Sequence, residues 1–159
     1  MKTIQLTRGK FAKVDDDDYL NLIKHRWHSV RGSQNWYAGG SVNGKSIAMH
    51  RFIVNAPPDK EVDHRNGNGL DNQKHNLRLC NRQQNGWNSR RNKKSDTQYK
   101  GVIYHKKTKS FSVSLSGGHY DTAEQAACIY NFIAPILYGE FARLNTIKRH
   151  SLSSFDPCI

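Results

Sequence analysis

The sequence predicts an α+β protein assembled from small units. Three observations carry this. Alternating apolar and polar residues recur in short runs broken by Gly, Asn and Ser turns. Hydrophobic residues make up only 36% of the 159, too few for one large core. A single long helical period, opening near Asp121, follows the last strands. In chain order these give a small N-terminal sheet unit, a strand pair with a short helix, and then a three-stranded sheet with one helix.

The first unit begins with two strand signals, Thr3-Ile4-Gln5-Leu6 and Phe11-Ala12-Lys13-Val14, joined across Arg8-Gly9. Asp15 to Asp18 are four consecutive acids. At a helix start they cap it and complement its dipole, and Tyr19, Leu20, Leu22 and Ile23 supply its apolar content. Consecutive acids diverge on a helix, which argues against a metal cluster there. Three more strands are expected at 26–30, 36–40 and 45–49, with Trp27, Trp36 and Tyr37 filling the core between them.

Residues 61–88 carry the chemistry. Glu61-Val62-Asp63-His64 reads as a strand, Asn66-Gly67 as a turn, and Asn76-Leu77-Arg78-Leu79 as a second strand. Asn81 is placed to cap a helix over 82–92, on which Asn85 and Asn88 share a face. A hairpin followed by a helix brings Asp63 and Asn85 to one point, with His64 expected to enter the same space. A carboxylate beside an imidazole suits metal-assisted hydrolysis: the first holds a hard cation and the second deprotonates water.

The Asp63-His64 pair, the Leu70-Asp71-Asn72 turn, Asn76-Leu77-Arg78 and the Gln84-Asn85 to Asn88 run occur in the order of the HNH nuclease motif. The stretch resembles the Asp-His form of that motif found in phage and intron homing endonucleases. Met49-His50-Arg51 and phrases over 14–28 extend the resemblance toward the N-terminus. It implies a ββα-metal core holding one divalent ion, Mg²⁺ or Mn²⁺ with Mg²⁺ preferred. Asp63 and Asn85 would be the metal ligands, His64 the general base, and Asn76 the brace of the loop that orients the base.

The segment after this motif is basic and polar, and 93–98 reads as a linker. It leads into strands at 99–104 and 110–115 and a third from Gly118. Phe111, Val113 and Leu115 alternate with serines, giving one apolar face and one small polar face. Thr122 with Glu124 or Gln125 has capping-box character, and Ala123, Ala126, Ala127, Tyr130, Ala134 and Leu137 would cover the apolar face. Pro135 is expected to kink that helix or to sit where the preceding carbonyls find other partners. Tyr99 to Val102, Tyr120 to Ala127, Tyr130 and the 139–145 segment resemble the AP2 DNA-binding domain. That resemblance implies a sheet face laid in a DNA groove. The usual Arg and Trp readers are largely replaced by serines and by Lys106, Lys107 and Lys109, which points to relaxed base readout.

The expected layout is a nuclease domain over 1–92, with its motif at 61–92, a linker, an AP2-like domain over 99–146 and a tail over 147–159. Net charge is +12 and the sequence pI about 9.8, so double-stranded DNA is the expected partner. The excess is greatest over 51–100, where 11 Lys and Arg face 5 Asp and Glu. Phosphate contacts are expected from Arg51, Arg78, Arg82, Arg90, Arg91, Lys93, Lys94 and Lys100, together with the three lysines above.

Cys80, Cys128 and Cys158 form no C-x-x-C pair, which argues against a disulfide framework and a structural zinc site. No apolar run is long enough to span a membrane, so a cytoplasmic protein is expected; its oligomeric state is left open, with a monomer favoured. The sequence therefore reads as a metal-dependent DNA endonuclease of the HNH homing type that nicks DNA. A DNA-binding regulator with an inactive motif and a low-specificity restriction or toxin-like nuclease are the alternatives.

Overall fold

The structure is a computed structural model and describes residues 1–91 and 95–147. The chain divides into two units, Met1–Gly86 and Trp87–Ile159. No helix among the described residues is long and apolar enough to cross a membrane.

In the first unit, β1 (Lys2–Gln5) and β2 (Phe11–Val14) form an antiparallel hairpin. Its turn places Arg8 at φ +59° and Gly9 at +62°, two successive left-handed residues whose twist matches that of the flanking strands. Helix α1 (Asp16–Leu22) follows, with three acids in its first turn. The antiparallel sheet β3 (Trp27–Arg31), β4 (Trp36–Val42) and β5 (Lys45–Ala48) comes next. Ile4, Leu6, Ala12, Val14, Leu22, Trp27, Ala38 and Met49 make the core, and the Trp27 indole N–H donates to the Leu22 carbonyl at 2.8 Å.

Three expectations for this unit are corrected. Met49, expected to end a strand, opens a short helix, α2 (Met49–Ile53). Trp36 and Tyr37 are half-buried rather than core: Trp36 lies under basic side chains, and Tyr37 packs on histidines. Asp15 precedes α1 but makes no side-chain cap there. Its carboxylate instead accepts from the Lys74 backbone N–H at 2.8 Å and from Gln73 at 3.1 Å, capping a distant turn.

The functional segment is the antiparallel pair β6 (Glu61–His64) and β7 (Leu77–Cys80), followed by α3 (Arg82–Trp87). The Asn81 side chain accepts from the Gln84 N–H, and the Gln84 side chain accepts from the Asn81 N–H. This reciprocal capping box makes Asn81 the start of the helix. The helix ends at Trp87, short of the expected 92. Strand β2 also pairs with the site loop: the Lys13 N–H donates to Leu70, and the Asn72 N–H to Lys13, each at 2.8 Å.

The second unit holds a three-stranded antiparallel sheet, β8 (Val102–His105), β9 (Ser110–Val113) and β10 (His119–Tyr120), with β9 central. Helix α4 (Ala123–Tyr138) starts in a capping box between Thr122 and Gln125. Ala126, Ala127, Tyr130 and Ala134 bury against Tyr99, Val102 and Val113. Gly101 is required at this core, because its φ is +73° and a Cβ there would sit 2.2 Å from the Tyr130 ring. Leu137, expected in the core, is exposed, and the helix runs through Pro135 to Tyr138. Cys80 is a buried free thiol.

Candidate active site

The β6–β7 hairpin sorts its side chains by strand alternation. Asp63 shares the Glu61 side of β6, and His64 takes the opposite side with Val62. The two groups adjoin at the end of the strand, where the Asp63 charge acts on the His64 ring.

On the first side, register places Arg78 across from Asp63. The Arg78 Nε and a terminal nitrogen donate to Asp63 Oδ2 at 2.8 and 2.6 Å, and both side chains are buried. Asn85 reaches the same side from α3, where its Nδ2 donates to Glu61 Oε2 at 2.6 Å. An ionised carboxylate accepts only, so Glu61 dictates which end of the Asn85 amide it holds. The amide oxygen is left without a hydrogen-bond donor among the described residues. Glu61, Asp63 and Asn85 bring carboxylate and amide oxygens to this side of the hairpin, donors of the kind a hard divalent cation takes. No cluster of three or more His, Cys, Asp or Glu arranged for a metal occurs among the described residues.

On the other side, His64 Nε2 lies 3.3 Å from Asn72 Oδ1. Its ring centroid is 5.0 Å from that of His50, edge-on, and 5.9 Å from that of Tyr37. Burial holds the His64 imidazole below the usual histidine range, although the Asn72 hydrogen bond and the Asp63 and Asp71 charges pull the other way. His50 is pushed down to about 3, first by burial, then by repulsion from His64 when that ring is protonated and from Arg51. Both rings are therefore neutral at pH 7.

The connecting loop is held by Asn76, which is 3% exposed. Asn76 Oδ1 accepts from the Asn66 N–H at 3.0 Å, and its Nδ2 donates to the Asp71 carbonyl at 2.8 Å. Asn66 in turn donates to the Asp71 carboxylate at 2.9 Å. One side chain thus spans the loop that leaves His64.

The expected phosphate contacts separate into two groups. Arg78 is spent on Asp63. Arg51 donates to the carbonyls of Ala56, Pro57 and Lys60 and so ties down a loop. Lys100 donates to the carbonyls of Trp87 and Ser89, and burial beside Arg143 lowers it to about 8. These three bond within the protein in this structure. Arg82, Arg90, Lys106, Lys107 and Lys109 are exposed and Arg91 half-exposed, while Lys93 and Lys94 lie outside the described residues. Sequence reasoning missed Glu61, Asn72 and Tyr37 as site residues. The signal for Glu61 was its i, i+2 relation to Asp63 on a strand.

A family model described as HNH endonuclease matches residues 55–87, the segment that holds this constellation. An uncharacterized HNH endonuclease of Acanthamoeba polyphaga mimivirus is 34% identical over 148 residues, covering 88% of this chain and 77% of that protein. The chain belongs to the HNH endonuclease family. It is accordingly a DNA nuclease, of a family that generally works with a divalent ion. No solved structure matches this HNH endonuclease.

Proposed function

We propose that this HNH endonuclease is a metal-dependent enzyme of the phage and intron homing type, which hydrolyses phosphodiesters of double-stranded DNA and nicks one strand per visit. The observation that carries the reading is the neutral His64 imidazole, held by Asn72 at the end of the strand that carries Asp63. A neutral imidazole takes a proton from water at pH 7. Asp63 and Asn85 would hold the ion, Mg²⁺ by preference over Mn²⁺ for an oxygen donor set. When bound, the ion supplies positive charge to the scissile phosphate and the departing 3′ oxygen.

The protein's own groups do the rest. His64 accepts the proton of the attacking water. Asn76 keeps the His64 loop in place as a positioning residue. Glu61 holds the Asn85 amide by its nitrogen and would leave its oxygen to the ion. Arg82, Arg90 and Arg91 contribute phosphate contacts along the flanking strand. The second unit, read as AP2-like, would hold the target through the β8–β10 face, with Lys106, Lys107 and Lys109 on backbone phosphates and His105, Ser110 and His119 at the base edges. With one site per chain, a monomer nicks.

The test is relaxation of supercoiled plasmid by the wild type and by His64→Ala, with Mg²⁺ and with EDTA. The expected result is Mg²⁺-dependent nicking that falls on the order of 10²- to 10⁴-fold in His64→Ala. Nicking that persists undiminished in His64→Ala rejects the base assignment. Nicking unaffected by EDTA rejects the metal.

A further inference from the structure

We propose that Arg8, Lys10 and Arg31, gathered around the indole of Trp36, form a phosphate-binding site for the DNA backbone on the nuclease unit itself. The inference rests on the nuclease reading but uses none of the residues assigned above.

Three cations converge on one ring. The Arg8 Cζ, Lys10 Nζ and Arg31 Cζ lie 5.7, 5.4 and 5.1 Å from the Trp36 centroid. They come from two separate hairpins: Arg8 and Lys10 from the β1–β2 turn, and Arg31 from β3, where it sits directly across from Trp36. None of the three has a carboxylate partner among the described residues. Three like charges around one ring repel each other, and cation–π attraction at a solvent-facing site is weak. The arrangement gains most when an anion lies among the cations. Arg8 adds a second indication, because it adopts φ +59° at a turn position that Asn or Gly fills more easily.

The location makes the anion a DNA strand rather than an isolated phosphate. Both hairpins are fastened to the loop that leaves His64. The Asn35 side chain donates to the Gly67 carbonyl at 3.0 Å. A Cβ at Gly69 would meet the Trp36 carbonyl at 2.5 Å, so loop and strand touch backbone to backbone. Strand β2 bridges to Asp71 through Lys13. A backbone gripped at Trp36 is therefore indexed to the catalytic loop by rigid contacts, without recourse to the second unit.

The experiment is fluorescence anisotropy of a labelled duplex with the full-length chain in EDTA, over a range of KCl concentrations. The wild type is compared with the triple variant Arg8→Gln, Lys10→Gln, Arg31→Gln, and with a control triple, Lys24→Gln, Lys45→Gln, Lys60→Gln, that removes the same charge elsewhere on the unit. The expected result is a salt dependence shallower by roughly 2 to 3 in log–log slope, at about 0.9 for each phosphate no longer neutralised, and an affinity lower by about 10- to 100-fold near 0.1 M salt. The control triple should change the slope by less than about 1. Intrinsic fluorescence should also respond to DNA in the wild type and lose most of that response in Trp36→Phe. Thermal melts of each variant check that the fold is intact. A cluster variant that matches the control triple while the wild type binds and nicks overturns this site alone. A wild type that neither binds nor nicks removes the nuclease reading with it.

Discussion

Two asparagines do the same mechanical job in the two units. Asn76 accepts from the Asn66 N–H and donates to the Asp71 carbonyl. Asn145 accepts from the Lys100 N–H at 2.7 Å and donates to the Lys100 carbonyl at 3.0 Å. Their surroundings differ. Around Asn76 the interior stays polar, with Asp63, His64, Asp71, Asn72 and Arg78 all buried. The second unit packs Tyr99, Val102, Val113, Tyr130 and three alanines. Among the described residues, buried side-chain atoms without a hydrogen bond follow the same division. Asp18 Oδ2, His50 Nδ1, Asp71 Oδ1 and Asn72 Nδ2 belong to the first unit, and Tyr130 Oη to the second. Three of the four residues in the first unit act on His64 by ring contact, hydrogen bond or charge. Unsatisfied polar groups cost about 1–3 kcal/mol each, and natural proteins keep them where chemistry needs them.

Substituting the two braces breaks or sharpens this contrast most strongly. Asn76→Ala leaves the Asn66 N–H and the Asp71 carbonyl without their partner, at a cost of about 2–4 kcal/mol. It should also lower the nicking rate at saturating enzyme by at least about tenfold, since the His64 loop loses its tie. Asn145→Ala should cost a comparable stability and leave that rate within about twofold. Urea melts and single-turnover nicking of both variants decide the matter. Equal losses of rate would mean that Asn76 is a structural brace like its counterpart.

Acid should separate the units next. His50 titrates near 3 in the fold, against 6.5 for a free imidazole. The unfolded chain therefore binds more protons between these values, and stability falls as pH drops below about 6.5. At pH 5 the loss from His50 alone is about 2 kcal/mol, and the lowered His64 adds to it. No histidine is buried among the described residues of the second unit. Hydrogen exchange at pH 7 and pH 5 should show protection lost first over β4, α2 and β6, and His50→Gln should reduce that loss. Equal acid sensitivity across both units would show that the histidine interior does not set it.

The parts legible in the sequence were those decided locally. Strand β6, the Asn81 cap and the Thr122 cap follow from β-branching, turn residues and side chains that bond within three positions. The pairing of Asp63 with His64 was legible along the chain, whereas the side of β6 that each takes needed the strand to be in place. Tertiary neighbours decided the rest. Arg78 looked like a phosphate contact because nothing in its neighbourhood along the chain reveals that the hairpin register sets it against Asp63. Arg51 and Lys100 find carbonyls 5 to 13 residues away in loops whose paths no local pattern specifies. Trp36 looked like core by composition, yet its exposed flank is set by charges from a different hairpin.

The smallest expected effect tests whether the orphaned hydroxyl of the second unit has any purpose. Tyr130 is 2% exposed, and its hydroxyl has no hydrogen-bond partner among the described residues. Burial pushes the phenol up to about 12, so it stays protonated and cannot serve as a base near neutral pH. Removing only this oxygen keeps the ring that packs against Gly101 and ends a desolvation cost. Tyr130→Phe should therefore leave the melting temperature unchanged or raise it by the equivalent of up to about 1 kcal/mol, with DNA affinity unaltered. The corresponding deletion in the first unit, Asn72→Leu, removes an equally orphaned amide but should slow nicking, because the other end of that amide holds His64. A marked loss of stability or DNA affinity in Tyr130→Phe would place a working polar group in the second unit, and the division into a polar catalytic interior and an apolar scaffold would fail.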